Sequence, residues 1–295
     1  MEPNIELAKP RDFGEIISDT FLFIRQNFKG LLKSFFIFCG FFLVAGALAM
    51  CIMQYKTNYT VTRQVAGVPA EFGNISELAV SIIGVMVFAL LGFTANMTTI
   101  ICYVTLYKNK ANIEPTTEEM WAYFKYYFLR VLGASIVIWL LLCAGYMVCL
   151  IPGIWLFPIL GLIFPIMIIE NASFGYAFSR AFKLISNNWW ITAGAVFIVW
   201  LIAYCMMFFI SLPLSLVNVS SMLLRPHVGP TVSMGQIVLG SVLQQLMQVI
   251  LVIPTIGICL CYFNLTESKD GTSLLNRIDK FGGQNTQTDL PSEEY

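Results

Sequence analysis

The sequence predicts an all-α integral membrane protein: six transmembrane helices in three hairpins, each preceded by an amphipathic helix on the cytoplasmic membrane surface. Three observations carry that expectation. The chain is 58% hydrophobic and only 12% charged, far from the roughly 45–50% apolar and 25% charged of a soluble domain. It contains uncharged runs long enough to cross a hydrocarbon core of roughly 30 Å, which takes about 20 helical residues. The polar stretches between those runs carry apolar residues at helical spacing instead of reading as loops. Since the long runs do not alternate, a barrel is not expected.

The expected spans are 31–53, 78–106, 131–150, 153–169, 189–212 and 235–265. The third and fourth need an argument, because residues 131–169 hold no charge over 39 positions. One helix of that length would overshoot the bilayer, so Pro152-Gly153 is read as the turn of a hairpin. A re-entrant segment is the alternative, with Pro158 and Pro165 interrupting the fourth run. Residues 1–266 form the membrane domain, and 267–295 a polar, partly disordered tail.

Lys and Arg set the orientation. Fourteen lie in the amino-terminal segment, the loop 107–130, the stretch 170–188 and the tail; three lie on the other side, Lys56, Arg63 and Arg225. That bias puts both termini in the cytoplasm, which an even number of spans requires. The amino terminus mixes acidic and basic residues ahead of a full-length span, so no cleavable signal peptide is expected. The eight cysteines all fall within spans and are expected to act as small apolar fillers. Cys259 and Cys261, two apart, point in different directions on a helix and make a poor metal pair.

Between the fourth and fifth spans, Phe174, Ala177, Phe178, Ala181, Phe182 and Ile185 form one helical stripe. The segment 172–187 is too short and polar to span, so it is expected to lie in the membrane plane. Arg180 and Lys183 would meet anionic headgroups, and Trp189 and Trp190 mark the interface. Residues 13–28 align with 174–189 without a gap and share six identities, among them Phe13 with Phe174 and Asn27 with Asn188. A weaker third copy begins at Pro115 with a capping box of Thr116 and Glu119, then Met120, Tyr123, Phe124 and Tyr127 at helical spacing. Interfacial helices are thus expected over 12–29, 116–129 and 172–187, and one unit is expected three times: interfacial helix, span, turn, span. Internal repeats are common in transporters.

No Asp, Glu, Lys, Arg or His appears between Ser34 and Met53, Leu78 and Tyr107, Val131 and Ile169, Trp189 and Leu224, or Val228 and Thr266, which argues against proton-coupled carriers and voltage sensors. The single histidine, His227, lies in an outer loop, and neither a Walker A loop nor a dinucleotide fingerprint is present. Uncharged polarity is what remains at depth. Asn96, with Thr94, Thr98 and Thr99, lies in the second span, and Gln244, Gln245 and Gln248 in the sixth. Gln244 and Gln248, four apart, share a helix face. The candidate polar site is therefore Asn96, Thr99, Gln244 and Gln248, as glue between helices or as a groove for a headgroup or small solute. Gly40, Gly46, Gly84, Gly92 and Gly240 are expected to permit close helix approach. Glu170, the first charge after the fourth span, is expected to pair with Arg180 or Lys183 or to favour the next helix start.

At "PIMIIENASFGYAFSRAFKLISNNWW" and "YFNLTESKDGTSLLNRID" the sequence resembles a broad group of bacterial multi-pass proteins, similar to the membrane domain attached to some glycerophosphoryl diester phosphodiesterases. Pro165, Glu170, Ala177, Ala181, Leu184 and Trp189 occupy the places of the first motif. Tyr262, Asn264, Leu265, Glu267 and Gly271 occupy those of the second, with Thr266 where Arg is usual. The resemblance implies the bacterial inner membrane but not the phosphodiesterase activity, which belongs to a separate soluble domain that the 29-residue tail could not supply. The first expectation is a noncatalytic scaffold or accessory protein in envelope or lipid organisation. The alternative is a transporter or lipid-handling protein using the polar site. Membrane lipids are the expected partners; no enzyme activity, cofactor or nucleic acid is expected.

Overall fold

A computed structural model of the chain describes residues 5–65, 67, 72–110, 112–148, 150–186, 188–224 and 232–270, with no strand among them. The α-helices are α1 (Phe13–Val65), α2 (Phe72–Asn109), α3 (Thr117–Val148), α4 (Leu150–Ile169), α5 (Phe174–Ile185), α6 (Trp189–Leu224), α7 (Met234–Leu246) and α8 (Val252–Asp270). A 3-10 turn, Met247–Leu251, joins the last two. Six helical stretches are long and apolar enough to cross a membrane, α7 to α8 counting as one.

Three of these helices make the centre. α2, α4 and α8 touch one another, and α1, α3 and α6 surround them. Each outer helix packs on the inner helix that follows it in sequence and on one other: α1 on α2 and α8, α3 on α4 and α2, α6 on α8 and α4. The inner position explains the composition, since Ile159, Leu162, Ile163 and Ile166 of α4 are all fully buried. The outer helices expose Phe41, Leu140 and Phe209, as side chains facing hydrocarbon would. We call the end where α1 begins and α8 finishes the basal end.

Helices α1, α3 and α5 start alike. The N–H of Ile16, Met120 and Ala177 donates to the carbonyl of Asp12, Thr116 and Ser173, at 3.0, 3.1 and 2.9 Å. Counted from there, Thr20, Phe124 and Ala181 are buried, and then Phe23, Tyr127 and Leu184. Those positions share one helix face. The next position on the stripe separates them. Asn27 has non-helical φ −111° and ψ 16°, Asn188 lies in the break between α5 and α6, and Val131 continues α3 without a break. The reason is chemical: the Asn27 side chain donates to the carbonyl of Phe23 at 3.1 Å, competing with the helix backbone, which a valine cannot do.

Several boundaries differ from the sequence expectation. The expected interfacial segment 116–129 and the third span run together in one helix, α3 (Thr117–Val148), because Val131 stands where α1 has Asn27 and the break after α5 has Asn188. The fifth span does not stop at Leu212; α6 continues through Pro213 to Leu224. α3 ends at Val148 and α4 begins at Leu150, so Pro152 sits in the first turn of α4, where a missing N–H breaks no helical bond. Gly153 is required there, since a Cβ would come within 2.5 Å of the Tyr146 ring. α4 is one unbroken 20-residue helix despite Pro158 and Pro165, so it is no re-entrant loop. The sixth span is interrupted by the 3-10 turn. Pro254 accounts for this, because its ring clashes with the carbonyl four residues earlier and offers no N–H. Of the interfacial segment 172–187, Asn187 lies outside the described residues, as do Cys149, His227 and the tail from Gly271.

Candidate functional site

The predicted polar residues do not all meet. The Asn96 amide donates to the carbonyl of Gln248 at 2.9 Å, joining α2 to the 3-10 turn. Asn96 is 1% exposed, and its carbonyl oxygen has no hydrogen-bond partner among the described residues. Thr99 turns away, with its hydroxyl 3.8 Å from Cys39 Sγ on α1. Gln248 pairs with Gln245, whose carbonyl accepts from the Gln248 amide. The 3-10 geometry is the cause: it brings residues three apart onto one line, which displaces the i, i+4 pairing with Gln244. Two glycines make room. A Cβ at Gly46 would lie 2.9 Å from the Gln245 amide nitrogen, and one at Gly92 would lie 3.0 Å from Gln248 Oε1. Gly40 and Gly84 face open space, and Gly240 meets Leu214.

These glutamines border a cavity of about 470 Å³ between α2, α3, α4, α6 and the sixth span. Its wall is mostly apolar, including Phe93, Met97, Phe164 and Met207, and among the described residues carries no Asp, Glu, Lys, Arg or His. Gln244, Gln245 and Gln248 supply amides on one side. Trp139 and Tyr204 also line it and are 50% and 60% exposed, so the cavity opens laterally toward the helix surface. A smaller apolar groove of about 300 Å³ runs between α1 and α7, and Gln245 borders both spaces.

One wall residue escaped the sequence reading. Trp200 Nε1 is buried and has no hydrogen-bond partner among the described residues, although the ring is held by Tyr204 at 5.5 Å and Phe157 at 5.9 Å between centroids. Trp200 stands eleven residues beyond Trp189 on α6, about 16 Å along the helix. That depth is close to half a bilayer core, away from the interfaces where indoles concentrate. Its position inside a span is the signal that could have singled it out.

The interfacial candidates gather at the basal end instead. Glu170 accepts a hydrogen bond from the Tyr262 hydroxyl at 2.9 Å, and Arg180 Nε lies 3.6 Å from the same oxygen. Arg180 also pairs with Asp270, and Lys269 reaches the carbonyl of Lys183. The Trp189 indole donates to the carbonyl of Trp155 at 3.3 Å, while Trp190 is 83% exposed. The stripe of α5 packs on protein: Ala177, Ala181, Leu184 and Ile185 are buried. Arg11 was not anticipated. Its side chain is 0% exposed, donates to Asp19 at 2.8 Å and to the carbonyl of Leu7 at 2.7 Å, and its backbone N–H reaches Asn264 Oδ1 at 2.8 Å. Asp19, three residues after buried Ile16, was the available hint that a cation must lie nearby.

No protein family, curated protein or solved structure matches the chain. The chemistry of the site therefore rests on its own geometry. Apolar walls with uncharged amides on one side can hold an amphiphile by contact and hydrogen bonding.

Proposed function

We propose that this is a lipid-handling, multi-pass protein of the bacterial inner membrane, which holds an amphiphile in the lateral cavity beside Gln244, Gln245 and Gln248. The observation that carries the reading is the combination of an apolar cavity of about 470 Å³ with uncharged amides at its wall. A volume in the roughly 300–1,000 Å³ range of ligand sites exceeds what close packing leaves by default. The opening beside Trp139 and Tyr204 supports entry from the hydrocarbon side.

The same proposal includes the finer architecture. Three copies of one unit, each a surface helix followed by two spans, are supported by the shared register of α1, α3 and α5 and by the way each outer helix leans on a second inner helix. Both termini are assigned to the cytoplasm by the Lys and Arg balance. In that arrangement the surface helices lie on the cytoplasmic leaflet and keep Arg180 and Lys183 within reach of headgroups.

The test is to purify the full chain in a mild detergent and quantify bound amphiphiles by mass spectrometry, beside Ala89→Trp, which places an indole in the cavity. Co-purifying amphiphile in the parent, absent from a folded variant, is the expected result. The same complement in both would sink the lipid-handling reading and leave the accessory role that the sequence first suggested.

A further inference from the structure

The cavity is long rather than round, and its amides gather toward one end. Its lining runs from Val85 to Met97 on α2 and from Val196 to Met207 on α6, about 16–18 Å along the helices. One leaflet of a hydrocarbon core of roughly 30 Å is about 15 Å thick, nearly the same length. Two helix contacts fix the depth of the amide end. A Cβ at Gly46 would meet the Gln245 amide, and Gly46 stands about 28 Å of helix beyond the kink at Asn27. A Cβ at Gly240 would meet Leu214, which lies about 38 Å beyond Trp189; Gln244, one turn nearer the basal end, comes to about 32 Å. The glutamines therefore sit about a full core thickness from the basal interface. Half-buried Gly161 and Trp200 line the other part of the cavity, at about the depth of the membrane midplane.

We infer, resting on the lipid-handling reading, that the cavity takes one acyl chain of a glycerolipid from the leaflet opposite the basal end, with the tail toward Gly161 and Trp200, the ester carbonyl at Gln244 and the headgroup left outside. Gln244 is exposed, borders the cavity and makes no hydrogen bond to any described residue. Gln245 and Gln248 are engaged with each other, which leaves Gln244 as the amide open to a ligand. Its NH₂ is a donor, and an ester carbonyl is an acceptor that carries no charge. The polar end thus lies where the acyl chains of that leaflet begin, and the apolar end lies where they finish. Among the described residues the wall offers no Lys, Arg or His to a phosphate and no Asp or Glu to an ammonium. A charged head drawn inside would lose its hydration with no counter-charge in return, so only the chain and its ester enter. The breadth suits one chain: about 470 Å³ drawn out over about 16 Å leaves a cross-section of roughly 30 Å², too narrow for two abreast.

Photoreactive phosphatidylglycerol tests this on the full chain in proteoliposomes, with a diazirine either at the methyl end of one acyl chain or beside its carbonyl, and with the labelled residues read by peptide mass spectrometry. The methyl-end probe is expected on Phe157, Gly161 or Trp200, and the carbonyl-end probe on Met207 or Gln244. Phosphatidylethanolamine with the same chains should give the same pattern, since the head stays outside. An unlabelled ether-linked analogue, which lacks the ester carbonyl, is expected to compete about threefold to tenfold more weakly than the ester, the equivalent of one net hydrogen bond. In Gln244→Leu, a change at an exposed site, ester and ether should compete equally. An ether that competes as well as the ester in the parent overturns the Gln244 contact. Labelling in the reverse order, or labelling that depends on the headgroup, overturns the assigned orientation while the cavity reading survives. If labelling is unsaturable, scattered over the outer helices and unchanged by Ala89→Trp, the inference and the lipid-handling reading fall together.

Discussion

At the basal end of the bundle the polar groups are charged and matched, whereas near its middle they are uncharged and only partly matched. Arg11, its side chain buried, answers Asp19, and Glu170 collects a partly exposed Arg180 and Tyr262. In the middle, Asn96 spends its amide on Gln248 and leaves its carbonyl oxygen bare, and Trp200 leaves its N–H bare. The difference separates two jobs. Charges hold the ends of helices together where each has a charged or hydrogen-bonding partner. Uncharged amides on a cavity wall, such as that of Gln244, are poor glue but can serve a ligand, because a ligand can supply the partner that the protein withholds. If the division is real, mutations at the basal end should lower stability and spare binding, and mutations in the middle should do the reverse.

Arg11→Ala is the most severe test. It strips a buried carboxylate of a buried partner, and breaking such a pair costs about 3–5 kcal/mol. Lys9, 3.1 Å from Asp19, is exposed enough to remain a partial substitute, which puts the expected loss at the lower end, about 3 kcal/mol. The thermal midpoint in detergent reads it directly, and amphiphile binding measured well below that midpoint should match the parent. A loss under about 1 kcal/mol would mean that Lys9 alone suffices and that the basal end is less interlocked than its geometry implies.

A pair of glycines on one helix sharpens the other side of the comparison. Gly46 faces the Gln245 amide, so Gly46→Val must push that side chain off Gln248, at about 1–2 kcal/mol for overpacking. Gly40, six residues earlier on α1, faces open space, and Gly40→Val should fall within about 0.5 kcal/mol of the parent. Binding should follow the same order, weakened by Gly46→Val and untouched by Gly40→Val. Equal effects from the two would show that the amide pair is not part of the receptor.

How far the sequence carried these distinctions depends on what kind of fact each is. Hydropathy depends on residue type alone, so all six membrane-length stretches were legible, as was α5 from the spacing of Ala177, Ala181 and Ile185. Pairing at depth was legible only in part. Asn96 and Gln248 meet, but Thr99 meets Cys39 of α1 instead, a direction that hydropathy does not encode. Gln245 replaced Gln244 as the partner because Pro254 forces the 3-10 turn, a local backbone effect that the face-sharing rule for α-helices could not anticipate. Arg11 looked like any basic residue before a helix, and only the fold brings Asn264 to its backbone. The expected fifth span ended at Leu212, whereas α6 runs on through Pro213 to Leu224, as a membrane helix tolerates proline when its surroundings satisfy the freed carbonyl.

The smallest expected effect lies at the basal end, where Glu119 in the first turn of α3 stands ahead of the apolar part of that helix. Its carboxylate accepts hydrogen bonds from Lys110 at 2.7 Å and from the Thr116 N–H at 2.8 Å. Those contacts, Lys110 first, hold its pKa down to about 2. A carboxyl depressed on folding below its unfolded value of roughly 4.3 stabilises the fold above that value, and the contribution disappears as pH falls through about 2. The group is solvent-exposed, so the increment is small. Glu119→Gln keeps the shape of the cap and removes the titration. Between pH 5 and pH 2 the parent's thermal midpoint should therefore fall slightly further than the variant's, with amphiphile binding at neutral pH identical in both. Parallel pH profiles would remove this pair from the interlocked end, and altered binding would cut across the division between the two regions itself.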